Sequence, residues 1–225
     1  MQNLEEFVNE KLKISKIERK YKPKTKEELL DIISKEIEAN GTDCSLNHID
    51  VSNITDMGYL FKESDFVGDI SDWNVSNVKY MYGMFESSKF NGDISNWNVS
   101  NVIDMSYMFM GSKYNGDISN WDVSNVTEME VMFNDSPFNG DLSNWDVSNV
   151  TRMDSMFNNC KFNGDISNWD VSNVKSFYAM FRNSNFNGDI SKWQINPAAK
   201  GHMNKMFMNS PLEKTPPDWY YKYVK

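Results

Sequence analysis

Along residues 49–207 the apolar positions return in a fixed rhythm. Val150, Met153, Met156 and Phe157 are spaced 0, 3, 6 and 7, one face of a short helix. Ile166, Trp169 and Val171 follow, with Trp169 and Val171 at the two-residue step of a strand. Asn-x-x-acid pairs such as Asn53/Asp56, Asn101/Asp104 and Asn125/Glu128 resemble capping boxes for the helix. The Asn-Gly or Val-Gly step before each strand supplies turn chemistry. Each unit therefore reads as a strand, a corner, a short helix and a turn.

The unit repeats every 24 residues, as Trp73, Trp97, Trp121, Trp145, Trp169 and Trp193 show. Gly-Asp keeps the step from Gly68-Asp69 to Gly188-Asp189, and Met-Phe from Met84-Phe85 to Met180-Phe181. A degenerate first unit holds the frame with Ile49, Val51, Met57 and Leu60-Phe61. In the last, Met206-Phe207 arrives two residues late, after an insertion around Pro197-Ala198-Ala199. One coil cannot bury its own apolar edge, so about seven must stack, Trp over Trp and Phe over Phe. At strand spacing that makes an arc of about 30–35 Å. The expected fold class is an α/β repeat solenoid, leucine-rich-repeat-like, with one strand and one short helix per coil.

The flanks break the rhythm. In 1–45, Thr25 caps Leu29, Leu30, Ile32, Ile33 and Ile37, and Asn40-Gly41 stops the helix. A weaker helix is expected over roughly 3–20. Residues 1–45 are read as an N-terminal cap on 46–210, with a dimerisation or docking arm as the alternative. The tail 211–225, with Trp219, Tyr220, Tyr221 and Tyr223, is read as the opposite cap or an exposed aromatic anchor.

Composition narrows the function. The 15 Met among 14 Phe and 7 Trp suit a core in which flexible thioethers fill gaps between rings. The net charge is −9, and the excess acid lies in the repeat, so no nucleic-acid partner is expected. No apolar run approaches the ~20 residues that cross a bilayer, so no membrane insertion is expected. The N-terminus lacks the apolar stretch of a secretory signal, which favours a cytoplasmic or virion-associated location or a chain cut from a longer precursor. Two lone cysteines, Cys44 and Cys160, make neither a disulfide framework nor a zinc site.

The string W-x-V-S-x-V-T-x-M-x-x-M-F-x-x-S-x-F resembles the BspA-like leucine-rich-repeat surface proteins. It is closest to the N-G-D-I-S-x-W-x-V-S-x-V branch of bacterial surface proteins, mycoplasma lipoproteins and phage-encoded relatives. The resemblance covers about 46–210 and implies a protein-binding or adhesion scaffold. In that family the small residue three after Phe is often Cys. Here it is Ser64, Ser88, Ser112, Ser136, Cys160, Ser184 and Ser210, so Cys160 reads as a buried small residue.

Candidate chemistry is sparse. Asp69, Asp93, Asp117, Asp141, Asp165 and Asp189 form one column, and Asp122, Asp146 and Asp170 part of a second. Stacked carboxylates could hold calcium, but turn-capping by each aspartate is the favoured reading, and no cofactor or metal is expected. Asn53, Asn77, Asn101, Asn125, Asn149 and Asn173 suggest an asparagine ladder to the backbone. His48 and His202 lie in different end units, and no nucleophile or phosphate-loop motif is present, so an enzyme is not expected.

Ligand-facing strand candidates are Asn98, Asn120, Asp122, Asn144, Asp146, Asn168 and Asp170. Variable-face candidates are Tyr80, Tyr82, Tyr107, Glu130, Arg152, Tyr178 and Arg182. The expectation is a monomeric, non-enzymatic interaction scaffold with a protein partner. The alternative is a glycan- or calcium-binding adhesin using the Asn/Asp face.

Overall fold

The computed structural model describes residues 20–224. Helix α1 (Lys26–Asn40) opens the described part, and a short α2 (Tyr220–Tyr223) closes it. Thr25 caps α1 by accepting from the Glu28 amide at 3.2 Å, and Leu29 and Ile33 join the core of the coils. Apart from Lys20, the helix expected over 3–20 lies outside the described residues.

Between the helices the chain does not build the expected α/β solenoid. Among the described residues no coil contains a strand or an α-helix, so the strand-plus-helix unit of a leucine-rich repeat is absent. In place of a sheet, the described residues of neighbouring coils form isolated parallel bridges, as at Tyr80 with Asp104 and Asp104 with Glu128.

Two local features explain the difference. The phrase from Asp93 to Val102 folds into consecutive turns. Asp93 accepts from the Ser95 amide, Trp97 N–H donates to the Ile94 carbonyl, Asn98 accepts from the Ser100 amide, and Val102 N–H donates to Val99. Side-chain acceptors two residues back pull the backbone out of extension.

The Met-Phe segment is stopped from becoming a helix by two left-handed residues per coil. In one coil they are Tyr107 (φ 61°) and Gly111 (φ 63°). With a positive φ at its third residue, Met105 to Met108 has the signature of a type II turn. The amides then alternate. Met108, Met110 and Ser112 donate three residues back, while Met105, Tyr107, Phe109 and Gly111 donate to Glu128, Glu130, Met132 and Asn134 in the next coil. Spacing of 0, 3, 6 and 7 serves this ladder of turns as well as a helix, and every backbone donor still finds an acceptor.

Side-chain columns hold the coils in register. Phe61, Phe85, Phe109 and Phe133 stack with successive ring centroids 5.7 Å apart and nearly parallel planes. Each repeat tryptophan donates its indole N–H to a carbonyl of the preceding coil, as Trp121 does to Ile94 at 3.1 Å. Trp219 in the tail repeats the motif, donating to Ile190 at 2.9 Å and stacking on Trp193 at 6.3 Å. The insertion at 197–199 is taken up by a 3₁₀ turn capped by Asn196, after which Phe177 N–H meets His202 and the ladder resumes.

Cys160 is buried in the serine column. Its Sγ lies 3.4 Å from the Phe138 carbonyl, and burial pushes its thiol up to about 11, which leaves little thiolate to react.

Tyr114 interrupts a phenylalanine column that includes Phe66, Phe90, Phe138, Phe162 and Phe186. It is fully buried, and its hydroxyl finds no hydrogen-bond partner among the described residues. Tyr114→Phe restores the consensus and removes a stranded polar group, so it should stabilise the chain by about 1–2 kcal/mol. Urea denaturation checks this, and a destabilised variant would mean that the hydroxyl is satisfied.

Candidate protein-interaction groove

The two sets of candidate residues occupy different surfaces. Asn98, Asn120, Asp122, Asn144, Asp146, Asn168 and Asp170 are all exposed, but on turns rather than on a strand. Asn98, Asp122, Asp146 and Asp170 each accept from the serine amide two residues on, at 3.0–3.1 Å. Asn and Asp interchange here because the turn needs only one Oδ acceptor. The Asp93 to Asp189 column does the same work with Ser95, Ser119, Ser143, Ser167 and Ser191, each at 2.9 Å.

The asparagine ladder bonds the neighbouring coil rather than its own corner. Asn77, Asn101, Asn125, Asn149 and Asn173 donate through Nδ2 to serine carbonyls of the preceding coil, each at 2.7 Å. A second ladder went unread in the sequence. Asn91, Asn115, Asn139 and Asn163 accept from the amides of Asn115, Asn139, Asn163 and Asn187. Its signal is the Asn before every Gly-Asp from Asn91 on, a pattern that turn geometry alone also explains.

These hydrogen bonds make the fold sensitive to acid. The serine amides, and then the serine hydroxyls, hold Asp93, Asp117, Asp141, Asp165 and Asp189 below the usual carboxylate range. Asp50 is drawn down to about 2, first by the Ser52 hydroxyl and then by Lys22. A folded value below the unfolded one, ~4, gives stability that is present above pH ~4 and lost as pH falls towards ~2. Melting temperature should therefore fall steeply only below about pH 4–5, and Asp141→Asn should flatten part of that fall. An unchanged slope in the variant would remove Asp141 from the account.

The variable candidates gather on the ladder side of the coils. Tyr82, Tyr107, Glu130 and Arg152 line one concavity with Tyr59, Asp104, Ser106 and Glu128. Arg152 and Tyr178 line an adjoining one with Asp154, Lys175 and His202. Tyr80 lies beside this groove, its ring 6.5 Å from Tyr82. Arg182 lines neither concavity, and its Nε is buried without a partner among the described residues.

Glycines shape the upper end. A Cβ on Gly58 would lie 2.3 Å from the Tyr82 ring, and one on Gly83 would lie 2.2 Å from Tyr59. Each tyrosine thus rests on the other coil's glycine, and the rings meet edge-on at 5.1 Å. Tyr59, 45% exposed, is a groove residue that the sequence reading missed. Its signal was the pairing of a glycine with a tyrosine one coil away.

Charges order the floor. Arg152 pairs with Glu130 and reaches Asp154 through Nε at 3.2 Å. The Tyr107 hydroxyl lies 3.3 Å from Glu130, and burial followed by that carboxylate's charge raises its pKa. Tyr82 is raised in the same way by burial and Asp56. Among the described residues no His, Cys, Asp and Glu group has the geometry of a metal site, and no helix is long and apolar enough to cross a membrane.

The family model described as "Mycoplasma protein of unknown function, DUF285" matches residues 33–137 and again 112–219. The two matches overlap and together cover well over half of the chain. The chain belongs to this DUF285 family. Both copies of the family model fall mainly on the stacked coils. No curated protein and no solved structure matches the chain. What distinguishes this DUF285 chain is therefore read from its own groove, where its coils differ most.

Proposed function

We propose that this DUF285 chain is a non-enzymatic protein-binding module of the BspA-like kind, and that its partner lies along the tyrosine-lined groove. The observation that carries this reading is the distribution of variation. The Asp-Ser turns are copied from coil to coil, whereas Tyr82, Ser106, Glu130, Asp154 and Tyr178 occupy a single repeat position. Those five positions lie in the two adjoining concavities. Exposed tyrosine and arginine also supply contact area at low entropic cost, as protein interfaces require.

Panning a random peptide library on the full chain tests the reading. Retained peptides should bind Tyr82→Ala/Tyr178→Ala about tenfold more weakly, the loss of one aromatic anchor's worth of contact. Peptides indifferent to that double change would place binding elsewhere. The competing reading, a glycan or calcium site on the Asn/Asp face, predicts that calcium stabilises the fold. Because one oxygen of each column aspartate is engaged by a serine amide, the expected result is the same melting temperature in calcium chloride and in EDTA. A clear rise in calcium would revive the adhesin reading.

A further inference from the structure

We infer that the carboxylates of Asp104 and Glu128, beside Tyr107, receive a lysine or arginine side chain from a basic segment of the protein partner. This rests on the groove being the binding face and adds the chemistry of what enters it.

The groove presents carboxylate-and-tyrosine chemistry at three successive levels. At the top, Lys26 lies 3.2 Å from Asp56 and 5.4 Å over the Tyr82 ring, and the Tyr82 hydroxyl lies 3.3 Å from Asp56. At the bottom, Arg152 joins Glu130 and Asp154, with the Tyr107 hydroxyl on Glu130. The chain's own cations thus show that both flanking levels accommodate an ammonium or a guanidinium.

The middle level has carboxylates that make no ion pair of their own among the described residues, with the charge of Arg152, the bridge neighbour of Glu128, reaching only that side of the pair. Asp104 and Glu128 are bridge partners in adjacent coils, which places their backbones ~4.8 Å apart. Each has one oxygen in use. Asp104 Oδ1 accepts from the Ser106 amide at 2.8 Å, and Glu128 Oε1 accepts from the Thr151 hydroxyl at 3.1 Å. The second oxygen of each carries no hydrogen bond, and neither residue makes an ion pair among the described residues. Like charges carried on bridged positions repel, and a cation set between them is attracted to both.

The surrounding rings select the kind of cation. Tyr59, Tyr82 and Tyr107 line the same concavity. Aromatic faces favour ammonium and guanidinium groups and pack against their aliphatic stems. A hard metal ion would instead need a shell of oxygens.

The probe is a fluorescein-labelled oligo-arginine peptide, titrated by anisotropy into the full chain. Asp104→Asn/Glu128→Gln removes both charges and keeps both engaged acceptor oxygens, so the coil should still fold, and a melting curve confirms it. Binding should weaken about tenfold. Asp141→Asn/Asp165→Asn removes the same charge from the Asp-Ser turns and should leave binding within about twofold. Equal losses in the two variants, or no loss in the first, would overturn the inference. Asp104→Asn alone gives the same discrimination if the double variant melts early. Library peptides that need Tyr82 and Tyr178 but contain no lysine or arginine would overturn the cation while sparing the groove. Peptides indifferent to Tyr82 and Tyr178 would remove the groove itself.

Discussion

Trp121→Ala should cost the chain about 3–5 kcal/mol, the largest loss expected from any single truncation described here. The indole is 3% exposed and lies 6.3 Å from the Phe109 ring. Its removal leaves a cavity in mid-stack, where coils on both sides are held by their own columns and cannot collapse into it. It also removes one of the two donors on the Ile94 carbonyl, which accepts the indole N–H at 3.1 Å and keeps the Trp97 amide at 3.2 Å. Trp121→Phe keeps much of the volume but loses the bond, so it should cost less, about 1–2 kcal/mol. Equilibrium urea unfolding measures both. A loss under ~1 kcal/mol for the alanine variant would mean that the tryptophan column does not hold the coils together.

The second large effect separates two glycines that the sequence presents as equivalent. Gly68→Ala would place a Cβ 1.9 Å from the Cys44 carbonyl oxygen. That carbonyl belongs to the backbone running into the first coil, and it accepts from the Asp69 amide at 3.2 Å. Because a backbone atom cannot swing aside, the segment must move, at a cost of about 2–3 kcal/mol. At Gly164 the same substitution meets the Phe162 ring at 2.9 Å and the Gly140 carbonyl only at 3.6 Å. A ring can shift by tenths of an ångström, so Gly164→Ala should cost ~1 kcal/mol or less. Parallel melts of the two variants check the contrast, and equal losses would show that the junction at Cys44 gives way freely.

Much of the architecture was legible from the residues. The 24-residue register, the aromatic and methionine columns, the turn-capping aspartates and the cap on α1 each follow from a side chain's own chemistry. Of the seven variable positions named from the sequence, five line the groove. Tyr59, Asp104 and Glu128 were not recognised as groove residues, because a concavity depends on how far neighbouring coils project. Small Ser106 between Tyr82 and Glu130 leaves room that no single coil reveals.

By itself, then, the sequence determined which residues face inward and how often the chain returns to the same place. A periodic apolar pattern specifies burial whatever the backbone does between the buried positions. The tertiary structure alone decided the backbone. Residues spaced as Met105, Met108 and Phe109 are satisfy a helix or a chain of turns equally. The choice rests on where the amides of Met105, Tyr107 and Phe109 find acceptors. In a helix those carbonyls lie four residues back. Here they belong to Glu128, Glu130 and Met132, which exist as partners only once the next coil is in place.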